Sequence, residues 1–212
     1  EALYSDAEAI LLKAIAGEID YQRNKIASVA NYPLCKGNEE KGNYRVVNYP
    51  TKASNIGTLY FNLFHEDPIL HKLFRDKKFR IALSVAINRE EINELLFKGL
   101  VRPEQPIPGI RTPWYVEEYA KQYTEYNSKM ANEMLDELGL KWDKKHEYRL
   151  RPDGDRLRFT ISAMTAWPPE NVEISELVKE YWKDIGIEVV VKPMQTQLWV
   201  AKVTGCNFDV AS

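Results

Sequence analysis

The stretch VKEYWKDIGIEVVVKPM at 178–194 constrains the fold more than any other in the chain. Its first half repeats apolar residues at helical spacing, its second is a run of β-branched residues, and a single glycine, Gly186, joins them. Glycine lets the chain reverse there without a Cβ clash. Upstream, LRFTISAM at 157–164 alternates apolar and polar residues as a strand does. Residues 171–185 place Val172, Leu177, Val178, Tyr181, Trp182 and Ile185 on one helical face. IEVVVK follows as a strand, TQLWVAKV at 196–203 as a short helix, and FDVA as a last strand. Strand, helix, strand with short links is a βαβ crossover, which predicts parallel neighbours in one sheet. The class expected is α/β, with residues 1–212 forming one domain.

The first half of the chain is less regular. Ser5-Asp6-Ala7-Glu8 has the pattern of a capping box, with Ile10, Leu11, Ala14 and Ile15 on one face behind it and Gly17 as the stop. Residues 19–22 read as a short extended piece and 35–43, CKGNEEKGN, as a loop. YRVVNY at 44–49 and GTLYFNL at 57–63 are strand candidates, with Pro68 as a boundary. Residues 76–87 have helical spacing. Asn88 is placed to cap a further helix whose buried stripe is Ile92, Leu95 and Leu96, ended by Gly99. The four prolines in 102–115 predict a stiff irregular loop. A helix over 128–138 turns Met130, Met134, Leu135 and Leu138 inward.

Several functions find no support in the residues. Lys plus Arg number 29 against 31 Asp plus Glu, so there is no charge excess of the kind that nucleic-acid binding uses. No apolar run approaches the roughly 20 residues of a membrane helix. Phosphate-cradling glycine loops, nucleophile elbows and dinucleotide fingerprints are absent from the sequence. In HEDPILH the histidines are six apart with Pro68 between them, whereas a helical zinc pair needs a spacing of four. No cofactor and no metal are expected, and nothing argues for catalysis. Cys35 and Cys206 form no metal motif; free thiols and a single disulfide both stay open. The opening EALYSDAEAILLKA and the close CNFDVAS read as the limits of a mature protein or an excised fragment.

The aromatic supply, five Trp and 12 Tyr, is the more informative signal. Trp182 falls on the buried helical stripe and is expected to pack. Open α/β sheets bind ligands at the carboxyl ends of their strands. Trp167 and Gln195 lie just beyond such ends and Tyr60 and Asn62 near one; Trp114 and Trp167 adjoin prolines in loops, and Trp199 follows the strand ending near Met194. These six are the candidate ligand-binding residues. Flat aromatic faces suit sugar rings and apolar side chains alike.

Several stretches, in this order, resemble extracytoplasmic solute-binding proteins of ABC importers, in the oligopeptide/dipeptide-binding class of bacterial family 5. LLKAIAGEID resembles the family's helix and the Gly-Glu-Ile-Asp strand after it. The most specific match falls on Asn62, Phe74, Asp76, Phe79, Arg80, Ala82, Ala86, Asn88, Arg89 and Ile92. YTEYNSKMANEMLDELG, LVKEYWKDIGIEVVVKPM and CNFDVAS are similar to later elements. The resemblance implies one lobe of a type II periplasmic-binding-protein-like fold, with a mixed sheet flanked by helices. It implies a two-lobe receptor about twice this length that closes on its solute by hinge bending. The implied location is periplasmic or extracytoplasmic, with a lipid anchor as one option. The implied partners are a small solute and an ABC permease, with a monomeric receptor and no nucleic acid. Two departures stand out: the last tryptophan comes late, as Trp199 after Gln195-Thr196-Gln197, and Ser212 follows FDVA where some peptide-binding members have a basic residue. Oligopeptide and oligosaccharide therefore both stay open as solutes. The rival reading is a hydrolase or transferase with an unrecognised site on an α/β core.

Overall fold

The computed structural model describes residues 6–22, 26, 28–48, 56–166, 168 and 170–212. Helix α1 (Ala7–Ile15) begins at Asp6, whose carboxylate accepts from the Glu8 N–H; Ser5, expected as the cap, lies outside the described residues. Two short helices, α2 (Tyr32–Gly37) and α3 (Glu39–Gly42), occupy the segment expected to be a loop. Residues 44–48, expected as a strand, form none, and neither do 19–22. β propensity without a neighbouring strand to complete the ladder does not make a sheet. Of the side chains on α1–α3, Ile10 alone is buried, and the main core does not include it.

The sheet begins with β1 (Tyr60–Phe61), after which three helices follow in close succession. These are α4 (Pro68–Arg75), α5 (Lys77–Val85) and α6 (Arg89–Phe97), each opened by a side chain that accepts orphan N–H groups of the first turn. Asp67 takes Ile69 and Leu70, Asp76 takes Lys78 and Phe79, and Asn88 takes Glu91. Pro68, expected as a boundary after the strand, is the first residue of α4, because its fixed φ and missing N–H suit a first helical position. On α6 the buried residues are Ile92, Asn93 and Phe97, while Leu95 faces solvent, a correction to the expected stripe. The proline-rich loop then leads to α7 (Glu117–Lys121) and α8 (Ser128–Glu137).

The last third has the expected alternation. β2 (Arg158–Met164), α9 (Asn171–Asp184), β3 (Glu188–Met194), α10 (Thr196–Thr204) and β4 (Val210–Ala211) follow in turn. The strand order is β1-β4-β2-β3; β2 is parallel to β3 and to β4, and β1 is antiparallel to β4. The sheet is therefore mixed, with helices packed on it. Gly186 has a φ of +84°, and a Cβ there would meet the Trp142 ring at 2.6 Å, so both conformation and space require glycine. Between α9 and α5 lies an aromatic cluster. Trp182 is 5.7 Å from Phe159 and 6.1 Å from Phe61, and Phe74 is 5.4 Å from Phe159. Cys35 and Cys206 are free thiols.

Asp67 ties α4 to the β2 side of the molecule, since its second oxygen pairs with Arg151 at 2.8 Å. Burial alone would raise its pKa, but the N–H groups of Leu70 and Ile69 and the Arg151 guanidinium outweigh it and hold the carboxyl below the ordinary aspartate range. A depressed native pKa contributes stability that is present above the unfolded value and is lost as pH falls through the native one. Asp67→Asn keeps the capping oxygen and removes the charge. The stability gap between wild type and variant should be largest near neutral pH and close on acidification, as read by urea unfolding across a pH series.

Candidate functional site

Three parallel strands end along one edge of the sheet. Met164 of β2 stands beside Met194 of β3, and Ser162 beside Ala211 of β4. Because β1 runs antiparallel, its first residue reaches the same edge: Tyr60 pairs with Ala211. Side chains alternate across a strand. Phe61, Val210 and Ile161 therefore face α9, and Tyr60, Ala211 and Ser162 share the opposite face.

On that second face lies α10. Gln195 precedes it, exposed, and its carbonyl accepts the Trp199 N–H at 3.0 Å. The Trp199 indole N–H donates to the Ser162 carbonyl at 3.0 Å, which fixes the half-buried ring over the end of β2. No residue of α10 is buried, and Leu198 and Val200 are exposed. Tyr60 is 50% exposed. Two aromatic rings, an amide and exposed aliphatic side chains thus stand at or beside this edge.

The edge is braced from beneath. The Asn171 side-chain amide donates to the Met164 carbonyl at 3.2 Å, and the Ser175 and Ser212 hydroxyls meet at 3.0 Å in the interior. Thr165 donates from its N–H to the Met194 carbonyl at 2.9 Å. Asn171 and Ser175 were not picked out in the sequence, although two polar residues on the buried face of 171–185 are the signal that could have found them.

The other candidates are placed differently. Asn62 is buried at the opposite end of β1, and its side chain bonds the carbonyls of Cys206 and Phe208 and the Phe64 N–H. All of its polar atoms are engaged within the fold. Trp114 is 74% exposed on the proline-rich loop, which is anchored to α5 and α7 through Gln105 rather than to the sheet edge. Trp167 lies outside the described residues. Tyr60, Gln195 and Trp199 are thus the three that the structure brings to one edge.

A nearby His–carboxylate pair also needs a reading. His65 Nε2 is 2.9 Å from Asp209 Oδ1, and its Nδ1 accepts the Asp67 N–H at 3.0 Å. Asp209 Oδ2 accepts the Thr160 N–H at 2.7 Å. A ring with both nitrogens engaged by the fold has no position left from which to activate a nucleophile. The pair ties the start of β4 to β2 and α4. Among the described residues there is no group of three or more His, Cys, Asp and Glu side chains that could hold a metal ion, and no helix long and apolar enough to cross a membrane.

The chain resembles known proteins over nearly its whole length. The family model described as bacterial extracellular solute-binding proteins, family 5 Middle, matches residues 2–212. The oligopeptide-binding protein AppA of Bacillus subtilis (strain 168) is 32% identical over 144 residues, 66% of this chain and 25% of that protein. A solved structure of an oligopeptide-binding protein OppA superposes with a TM-score of 0.86 at 43% identity, over 98% of this chain and 33% of that one. AppA from Bacillus subtilis in complex with a nonapeptide gives a TM-score of 0.68 at 26% identity, over 99% of this chain and 39% of that one. The chain therefore spans between 25% and 39% of the length of these relatives.

Proposed function

The chain belongs to the bacterial extracellular solute-binding proteins of family 5, and from that premise we propose that it forms part of one lobe of an ABC-importer receptor that captures oligopeptides outside the cytoplasmic membrane and hands them to the permease. What supports the reading is the carboxyl edge of the sheet, where Tyr60 pairs with Ala211, Trp199 bonds the Ser162 carbonyl and Gln195 follows β3. Half of such a clamp grips weakly on its own; closure of a second lobe by hinge bending completes the contacts and presents the closed form to the membrane partner. Oligopeptide is favoured over oligosaccharide because AppA and OppA carry that description, and AppA has been solved with a nonapeptide bound. Aromatic faces and one amide supply the affinity, and the receptor acts as a monomer.

Calorimetry on the two-lobe receptor tests the proposal, with oligopeptides in one arm and oligosaccharides in the other. A saturable heat with peptide is expected. Heat only with sugar overturns the choice of solute, and no heat with either up to millimolar concentration overturns the function. Trp199→Ala should weaken peptide binding at least about tenfold, a loss of roughly 1.4 kcal/mol, whereas Trp114→Ala should leave it unchanged.

A further inference from the structure

We infer that Lys192 and Pro193 close the outer side of β3 to strand pairing by a second copy of this chain, and that this closure keeps the receptor a monomer. The inference deepens, and rests on, the reading of the chain as part of a monomeric receptor.

β3 stands at the margin of the sheet, with β2 on one side and no strand on the other among the described residues. Unpaired N–H and C=O groups along such a margin are a template for another chain. The sequence of β3 sharpens the hazard. Val189, Val190 and Val191 run together, and uncharged β-branched runs are the segments that pair most readily with copies of themselves. Val190 and Val191 are only half-buried.

The register shows which backbone groups are left over. The Glu188 N–H donates to the Leu157 carbonyl at 3.1 Å, and the Met194 carbonyl accepts the Thr165 N–H at 2.9 Å. Along a strand, successive residues turn their backbone groups to alternate sides. Glu188, Val190, Lys192 and Met194 therefore face β2, and Val189, Val191 and Pro193 face outward. The Ile187 N–H is already bonded to the Trp182 carbonyl at 2.9 Å. Pro193 has no N–H. Val189 and Val191 are thus the outward donors of β3.

A second copy pairing about a two-fold axis at Val191 would set Val189 of each copy against Pro193 of the other. Each proline would leave the opposing Val189 carbonyl without a donor, in a ladder that is already short. A proline whose nitrogen points outward is tolerated at a sheet margin but removes a bond within a sheet. Lys192 adds a charge to the same stretch. It is exposed and stands beside Ser162, on the face that carries α10. A second copy would place Val190 next to it and strip water from the ammonium. Glu188 is not free to neutralise that charge, since it lies 3.5 Å from Arg158 and 3.8 Å from Arg156 of its own copy. The margin leads directly to Gln195, so its closure also keeps a second copy away from the candidate solute-binding edge.

Sedimentation velocity on the two-lobe receptor, free of solute, tests this. Wild type should sediment as a monomer up to high micromolar concentration. The double variant, Lys192→Thr with Pro193→Val, should self-associate at least about tenfold more strongly. Hydrogen exchange locates the contact: at the Val189 and Val191 amides it should slow with concentration in the variant and not in wild type. A folded double variant that stays monomeric overturns the proposal, as does association that leaves those two amides exchanging as before. Slow exchange there in wild type at every concentration would mean that another part of the receptor already covers the margin, and overturns it too. Pro193→Ala, which restores only the missing N–H, is the second variant should the double one not fold. It should associate more strongly than wild type, and equal behaviour overturns the proposal. No solute is used, so a failure of peptide binding in the calorimetry leaves the outcome untouched.

Discussion

Replacing Trp182 by alanine is expected to destabilise the protein by about 3–5 kcal/mol, a large share of the roughly 5–15 kcal/mol that holds a typical domain together. The side chain is 1% exposed and touches elements from three parts of the chain. It meets Phe61 of β1 and Phe159 of β2, and its indole N–H donates to the Leu83 carbonyl at 3.0 Å. Leu83 lies in the last turn of α5, where carbonyls lack a helical donor. The indole supplies one. Trp182→Phe keeps most of the apolar surface but leaves that carbonyl unpaired, so a smaller loss of about 1–3 kcal/mol is expected. Urea unfolding of both variants checks the order; a phenylalanine variant as unstable as the alanine one would show that the hydrogen bond, not the packing, dominates.

The helix that carries Trp182 was legible because three signals agree there: a 3-and-4 apolar repeat, a glycine stop and a β-branched run beyond it. The parallel pairing of β2 and β3 followed from their order. What stayed hidden depended on partners far away in sequence. Val46 and Val47 have strand character, yet no strand among the described residues pairs with them. Residues 32–42 coil into two short helices despite their glycines and polar residues, each cap bonding within its own turn. At the site, Tyr60 and Asn62 are two residues apart and looked equivalent. Only the antiparallel register of β1 separates them, sending Tyr60 to the carboxyl edge and Asn62 to the far end. Trp199 was nameable from its position after β3, but the bond that orients its ring comes from β2.

Arg149→Ala should cost about 3–5 kcal/mol, comparable to the tryptophan although the residue is charged. Arg149 is fully buried. Its Nε donates to the Ile185 carbonyl at 2.9 Å, and the rest of the guanidinium bonds the Leu140 carbonyl, Asp136 and Asn132. Its face also lies 4.7 Å from the centre of the Trp142 ring. Two of the carbonyls follow α8 and α9, where orphan acceptors gather and a cation is favoured. Alanine would strand these acceptors in the interior. Lysine, with a compact ammonium in place of a planar fork, should rescue only in part. Asp136 is the instructive control: its side chain is 62% exposed, so Asp136→Ala should cost far less than Arg149→Ala. Equal losses in denaturant melts would mean that the ion pair, rather than the backbone acceptors, is what Arg149 contributes.

The position of β4 also sets when the molecule can be finished. β1 has its β4 partner only once residues 210–211 are made, and the buried Asn62 bonds a carbonyl 144 residues downstream. A chain leaving the ribosome therefore carries Tyr60 and Phe61 without their β4 partners until residues 210–211 have been made. Pairings this distant close slowly and leave strand edges open to neighbours while they wait. The nascent protein should lean on a holding chaperone until β4 clears the exit tunnel, and a synonymous slowing of translation just upstream of β4 should lengthen that dependence.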